Sequence, residues 1–217
     1  MRRSWVAAVL LLALVSPVHA QGPEAWRAAA AGENPADADA VRTAAELLRE
    51  IMAIPEQSVP PALLRSAQGV AIVPGVVKVG FVLGGRHGSG IVLVRDEKGG
   101  WGDPHRITLT GGSLGWQIGV QSTDVILVFK TRKSVDGLMG GKFTLGADAS
   151  VAAGPVGRHA EAATDVQLKA EVYAYSRSRG LFAGIALEGS ALQVGGRLQA
   201  PSALPPLKRL LDEASKR

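Results

Sequence analysis

The sequence predicts an α+β fold: a strongly curved, glycine-rich, mainly antiparallel β-sheet or barrel-like domain, preceded by helices and closed by one. Three observations point to it. Helical periodicity is confined to the two ends of the chain, while from Gly69 onward short Val-, Ile- and Leu-rich runs are punctuated by glycine. The links between those runs are too short for crossover helices, so neighbouring strands pair antiparallel. Glycine, 27 residues in all, recurs inside the runs, at Gly80, Gly90, Gly115, Gly119, Gly146 and Gly184. Glycine weakens a flat strand, so its repeated use there implies sharp bending or close approach of another backbone.

The chain opens with Arg2 and Arg3, an unbroken apolar run from Trp5 to Val15, and Val18-His19-Ala20 before Gln21. This is the pattern of a secretory signal peptide, residues 1–20, cut near Ala20/Gln21. The run is shorter than the about 20 residues that span a bilayer. Export to a periplasm or to the medium is expected. Residues 21–35 are Gly-, Pro- and Ala-rich and read as a flexible leader. Residues 36–217 read as one domain, with helices over 36–68, a β-rich core over 69–196 and a C-terminal helix over 202–216.

The first helix, Ala36 to Ala53, places Val41, Ala44 or Ala45, Leu48 and Met52 on one stripe and Asp37 and Asp39 in its first turn. Pro55 stops it, and Pro60-Pro61 opens a short second helix to Gln68. Strands are expected at Gly69–Pro74, Val76–Leu83, Gly88–Arg95, Leu114–Gln121 and Asp124–Arg132, with a turn at Glu97–Gly100. Ser134 is expected to cap one helical turn through Leu138. Lys142–Ala152 alternates until Gly154-Pro155 breaks it. Val166–Ser176 alternates with Val166, Leu168, Ala170, Val172 and Ala174 on one face and Gln167, Lys169, Glu171, Tyr173 and Tyr175 on the other. Leu181–Leu187 follows as a further strand.

Composition removes several functions. The chain has no cysteine, which excludes disulfides, thiolate metal sites and Cys nucleophiles. The formal net charge is +5, two units of which are Arg2 and Arg3 of the expected signal peptide. So small an excess permits attraction to anionic surfaces, but with few aromatics for base stacking it does not suggest a nucleic-acid partner. His87, His105 and His159 stand apart, without metal-ligand spacing, and no metal or cofactor is expected.

Two local patterns invite catalytic or nucleotide readings. Gly111, Ser113 and Gly115 spell G-x-S-x-G, the nucleophile elbow of serine hydrolases. That elbow needs a helix after the serine, whereas Gly115-Trp116-Gln117-Ile118-Gly119 is a poor helix and reads as strand, with Ser113 at its entry. Gly141-Lys142 fails as a phosphate loop, since residue 136 is Asp and residue 143 is Phe. The remaining candidates are basic. Lys130, Arg132 and Lys133 end one expected strand, Lys142 begins the next, and Arg158 follows the Gly-Pro break. On a shared rim they could hold a lipid phosphate by charge-assisted hydrogen bonds. The bland alternative is an ordinary solvated strand end.

Five segments in order resemble the SYLF, or Ysc84-type, domain family. They are Ala67–Pro74 (A-Q-G-V-A-I-V-P), Gly88-Ser89-Gly90, Gly112–Gly119 (G-S-L-G-W-Q-I-G), Leu145–Arg158 (L-G-A-D-A-S-V-A-A-G-P-V-G-R), and Tyr173–Ser176 with Gly180–Gly184. The resemblance covers Leu64 to Glu188. It implies that Gly112, Ser113, Gly115, Gln117, Gly119, Asp148, Ser150, Gly154, Pro155 and Gly157 are family positions of structural weight. It also implies a non-enzymatic module. Eukaryotic members bind phosphoinositides and in some cases actin, partly through an amphipathic N-terminal helix. Bacterial members are small exported proteins presumed to bind phospholipid. One departure stands out. The first helix carries Asp37, Asp39, Glu46 and Glu50 against Arg42 and Arg49, whereas membrane-surface helices are usually basic on their polar face. This helix is therefore expected to pack on the sheet. The C-terminal helix, with Lys208, Arg209, Lys216 and Arg217, is the more basic of the two.

The expected function is binding of anionic phospholipid headgroups or a membrane surface through Lys130, Arg132, Lys133, Lys142 and Arg158. The alternative is an envelope structural or protein-interaction module without lipid specificity. A serine hydrolase using Ser113 stands last. With export, actin is not an expected partner.

Overall fold

Helix α1 (Pro35–Met52) starts where Asn34 accepts hydrogen bonds from the Ala36 and Asp37 N–H groups, at 3.0 and 3.4 Å, with Pro35 in the first turn. The computed structural model that shows this describes residues 32–53, 58–155, 169–178, 181–184 and 187–216; at 80–83, 113–120 and 181–184 it describes the backbone path. The expected signal peptide, residues 21–31 of the leader, Gly157, Arg158 and Val166–Leu168 lie outside the described residues. The stripe on α1 is buried as expected, and wider: Ala38, Val41, Ala44, Ala45, Leu47, Leu48, Ile51 and Met52. It packs on the sheet and on the C-terminal helix, α4 (Leu204–Lys216). The short helix α2 (Pro61–Ser66) fills the same layer through Leu63 and Leu64.

The fold is α+β, with a curled half-barrel sheet between N-terminal helices and a C-terminal helix. Seven strands are described: β1 (Gly69–Val94), β2 (His105–Phe129), β3 (Lys142–Thr144), β4 (Val151–Ala153), β5 (Val172–Ser178), β6 (Leu181–Gly184) and β7 (Ala191–Arg197). All neighbours pair antiparallel except β4 and β5, which are parallel.

The expected short strands prove to be pieces of two long ones. Pro74-Gly75 reads as a break, yet β1 passes through it as a bulge. Gly75 takes a left-handed φ of 59°, the register shifts between Val73 and Val76, and the Gly75 N–H donates to Asp124 Oδ1 at 2.9 Å. Likewise β2 runs unbroken through Gly111 and Gly112, so Ser113 lies inside a strand opposite Gly84 rather than at a strand entry. It ends at Phe129, leaving Lys130 and Arg132 outside it. The stretch His105–Gly112 and all of β7 had no expected strand. The alternating stretch from Lys142 breaks after Thr144 into a turn, where Asp148 Oδ2 accepts from the Thr144 N–H at 2.6 Å, and resumes as β4. The turn joining β1 to β2 is the expected one. Asp96 Oδ1 accepts from the Lys98 and Gly100 N–H groups at 2.9 and 2.8 Å, and Arg95 lies 4.1 Å over the Trp101 ring.

The hairpin of β1 and β2 folds back on itself. Gly90 lies against the backbone of Ile72 and Val73, Gly88 against Val73 and Val76, and Gly69 against the Leu93 carbonyl. The Arg95 N–H donates to the Gln68 carbonyl at 2.8 Å. Each contact moves down one half of β1 as it moves up the other, so the halves run antiparallel side by side. A Cβ at residue 90 would stand 2.1 Å from the Ile72 oxygen, which makes glycine obligatory at that crossing.

At this base the sheet is covered on both faces. Val70, Ile72, Ile126, Val128, Tyr173 and Tyr175 point into the helix layer, while Ala71, Val73, Val125, Leu127, Phe129, Val172 and Ala174 enter a second core with Val135, Leu138, Phe143 and Leu192. The expected alternation of the Val166–Ser176 stretch holds over Val172–Tyr175, with both faces buried. Among the described residues of that stretch the strand begins at Val172, and Tyr173 and Tyr175 are fully buried because the helices roof that side. The Tyr175 ring fills the place a side chain at Gly154 would need.

Candidate binding surface

The cations singled out in the sequence sit on helix α3 (Arg132–Met139) and its flanks. The cap is Thr131, not Ser134: the Thr131 hydroxyl accepts from the Ser134 N–H at 3.2 Å. Lys130 is held at the end of β2, its N–H donating to the Glu171 carbonyl at 2.8 Å. Arg132 is half exposed. Its Nε donates to Asp136 Oδ1 at 3.1 Å and its Nη1 to the Arg95 carbonyl at 2.9 Å. Lys133 is 77% exposed and pairs with Glu171 Oε1 at 3.3 Å. The first turn of α3 thus gathers Arg132 and Lys133 beside Lys130. Lys142, which opens β3 opposite Gln193, lies past the other end of a helix about 12 Å long. Arg158 lies outside the described residues.

Sequence reading missed the carboxylate that organises this edge. Glu171 accepts from the Ser150 N–H at 3.1 Å and pairs with Lys133, while its own N–H donates to Ser150 Oγ at 3.0 Å. The Ser150 N–H, helped by Lys133 and Thr131 against a smaller opposing effect of burial, holds the Glu171 carboxyl below its usual range. The family positions Ser150 and Gly154 both take part in backbone hydrogen bonding. Ser150 ties β4 to β5, and the Gly154 N–H donates to the Ala174 carbonyl at 3.0 Å. Pro155 follows at the half-buried end of that segment. An open depression of about 480 Å³ borders the Thr144–Val151 turn; its charged lining residue is Glu188, the wrong sign for an anionic headgroup.

A second surface lies where β1 and β2 extend beyond the base, Val76–His87 paired with Thr110–Thr123. Val77 and Val79 are 40% and 53% exposed, while Val76 beside them is buried. Neither segment contains an Asp or Glu, and they carry Lys78, Arg86 and His87. Arg86 is half-buried, with Nη2 donating to the Gly112 carbonyl at 3.3 Å, and burial pulls its pKa down. The signal was available in sequence: no acidic residue occurs between Gln57 and Arg95, nor between Pro104 and Thr123. Gly112, Ser113, Gly115, Gln117 and Gly119 all lie on this ribbon, within a strand that continues to Phe129. The strand-to-helix turn of a nucleophile elbow is not what surrounds residue 113. Among the described residues no cluster of His, Asp and Glu could hold a metal.

Comparison with known proteins accords with this geometry. Residues 110–201 match the family described as "Ysc84: Las17-binding protein actin regulator". "LAS seventeen-binding protein 3" of Saccharomyces cerevisiae is 37% identical over 179 residues, 72% of this chain and 39% of that protein. "SH3 domain-containing YSC84-like protein 1" of Xenopus laevis is 41% identical over 157 residues, 70% of this chain and 47% of that protein, and its Homo sapiens counterpart is 38% identical over 157 residues. The chain spans less than half the length of these relatives, which are named for binding or for an SH3 domain and not as enzymes. The chain belongs to the Ysc84-type, or SYLF-domain, family.

Proposed function

We propose that this protein is a non-enzymatic module that docks on anionic phospholipid surfaces after export. The observation that supports the reading best is the β1–β2 ribbon, which exposes Val77, Val79 and His87, carries half-buried Lys78 and Arg86, and has no carboxylate. Near an anionic membrane a Lys or Arg such as Lys78 or Arg86 contributes about 1 kcal/mol. The α3 cations add to this as their pairing with Asp136 and Glu171 is exchanged for phosphate. Co-sedimentation with vesicles is the test. Binding to anionic but not neutral vesicles, lost at about 1 M salt where screening acts over ~3 Å, is expected. Equal binding to both vesicle types, or no binding, contradicts the reading. Export rests on Arg2, Arg3 and the Trp5–Val15 run; the mass of the protein recovered from expressing cells should lack residues 1–20, and an intact N-terminus contradicts export.

A second reading, a protein-binding module, is favoured by the relatives named as Las17-binding protein and actin regulator. Pelleting with actin filaments at physiological salt, with no anionic vesicle binding, would select it.

A further inference from the structure

We propose that the folded-back β1–β2 ribbon dips into the bilayer, with Val77 and Val79 entering the acyl boundary while Lys78, Arg86 and His87 stay at the headgroups. This rests on the phospholipid reading above and deepens it from surface attraction to insertion.

The argument begins with burial. Val76 belongs to the second core, so strand alternation turns Val77 and Val79 to the opposite side, the side that α1, α2 and α4 roof at the base. Over the ribbon none of the described helices continues that roof, and the two valines are more exposed than any other large hydrophobic residue among the described residues. The rest of the ribbon is apolar in kind: its sequence adds Phe81, Val82, Leu83, Leu114, Trp116, Ile118 and Val120. Exposed aliphatic side chains on a segment free of carboxylates suit a protein–membrane contact, and Lys78 and Arg86 match the sign of an anionic bilayer.

The backbone decides how deep the ribbon goes. β2 is paired on its second side by β7 at His105–Thr110 and by β5 at Asp124–Phe129. Between them, Gly111 to Thr123 has no described partner on that side. Unpaired N–H and C=O groups are not tolerated in the hydrocarbon core. The ribbon backbone therefore stays at headgroup level and only side chains pass below it. No helix among the described residues is long and apolar enough to cross a membrane, which accords with a shallow contact.

The chain has no cysteine, so a single introduced thiol reports one position. A nitroxide on Val79→Cys, in the full chain, is compared with one on Ala147→Cys, an exposed site in the β3–β4 turn. Vesicles contain phosphatidylcholine with phosphatidylglycerol. With protein that co-sediments, collisions of the Val79 label with a water-soluble nickel complex should fall severalfold and collisions with oxygen should rise, while the Ala147 label stays wet. Val77→Cys should behave as Val79→Cys and serves if the first variant fails to fold. A wet label at both valines on vesicle-bound protein overturns insertion and leaves the phospholipid reading standing. A label already dry before vesicles are added also overturns it, because the patch is then covered by the protein itself. Absence of co-sedimentation overturns both.

Discussion

The base of the sheet and the ribbon that extends from it are built from the same residue types and meet opposite fates. At the base Val70, Ala71, Ile72 and Val73 are all fully buried, alternating between two cores. A few residues further along the same strand, Val77 and Val79 stand in solvent. The difference lies in what covers the strand, not in the strand. Helices α1, α2 and α4 roof one face of the base, and α3 with β3 and β7 closes the other. Fully burying a Val, Leu or Phe side chain contributes about 1.5–3 kcal/mol, so the base holds the fold together and the exposed ribbon valines add little to it.

If that division is right, the largest effect comes from opening the base. Phe129→Ala should lower the unfolding free energy by about 3–5 kcal/mol, because Phe129 is fully buried against Phe143. A smaller loss would mean that the second core is looser than described. Gly90→Ala should cost about 1–3 kcal/mol or more, since its Cβ meets the Ile72 carbonyl. A neutral result in a denaturant titration would show that the halves of β1 do not press together there.

The two tyrosines of the chain sharpen the comparison from the alkaline side. Burial raises the pKa of Tyr175, and the neighbouring Tyr173 charge raises it further; burial also raises Tyr173, whose hydroxyl accepts from the Ala170 N–H. A raised pKa stabilises the fold fully below the unfolded-chain value near 10, and that contribution is lost as pH climbs through the folded value. Phenolate absorbance should therefore appear together with unfolding and not before it. Early titration of either tyrosine would show that the helix roof is open. On the acid side Glu171 works in the other direction. Its lowered pKa stabilises the fold above the unfolded carboxylate value of about 4.3 and is lost as pH falls through the folded value. Glu171→Gln should accordingly flatten the acid limb of stability against pH; an unchanged limb would contradict the pairing with Ser150 and Lys133. The smallest stability effect belongs to the ribbon. Val77→Ser with Val79→Ser should stay within about 0.5 kcal/mol of the parent, as exposed positions do.

The fold was legible where periodicity was local. α1 buries the Val41/Leu48/Met52 stripe read from its spacing, and the turn at Glu97–Gly100 forms as its residues require. It was illegible where glycine was read as punctuation. Gly75 is a bulge within β1, and Gly111-Gly112 continue β2 because the curled ladder tolerates residues that would break a flat one. The burial of Tyr173 and Tyr175 was not legible because the helices covering them come from opposite ends of the chain, a long-range contact that alternation does not encode. The proposed binding surface followed the same rule. Clustered charges at Lys130–Lys133 drew notice, although Asp136 and Glu171 engage two of them. The ribbon is marked instead by carboxylates that are absent over two long stretches, a pattern that becomes a surface only when β1 and β2 pair.

Amide hydrogen exchange, recorded with and without anionic vesicles, tests the separation of base and ribbon most directly. Slowed exchange confined to 76–87 and 110–123, with β5 and the base ends of β1 and β2 unchanged, is the predicted result. Slowing centred on α3 and β3 with the ribbon unaffected, or no change anywhere in the chain, would contradict it.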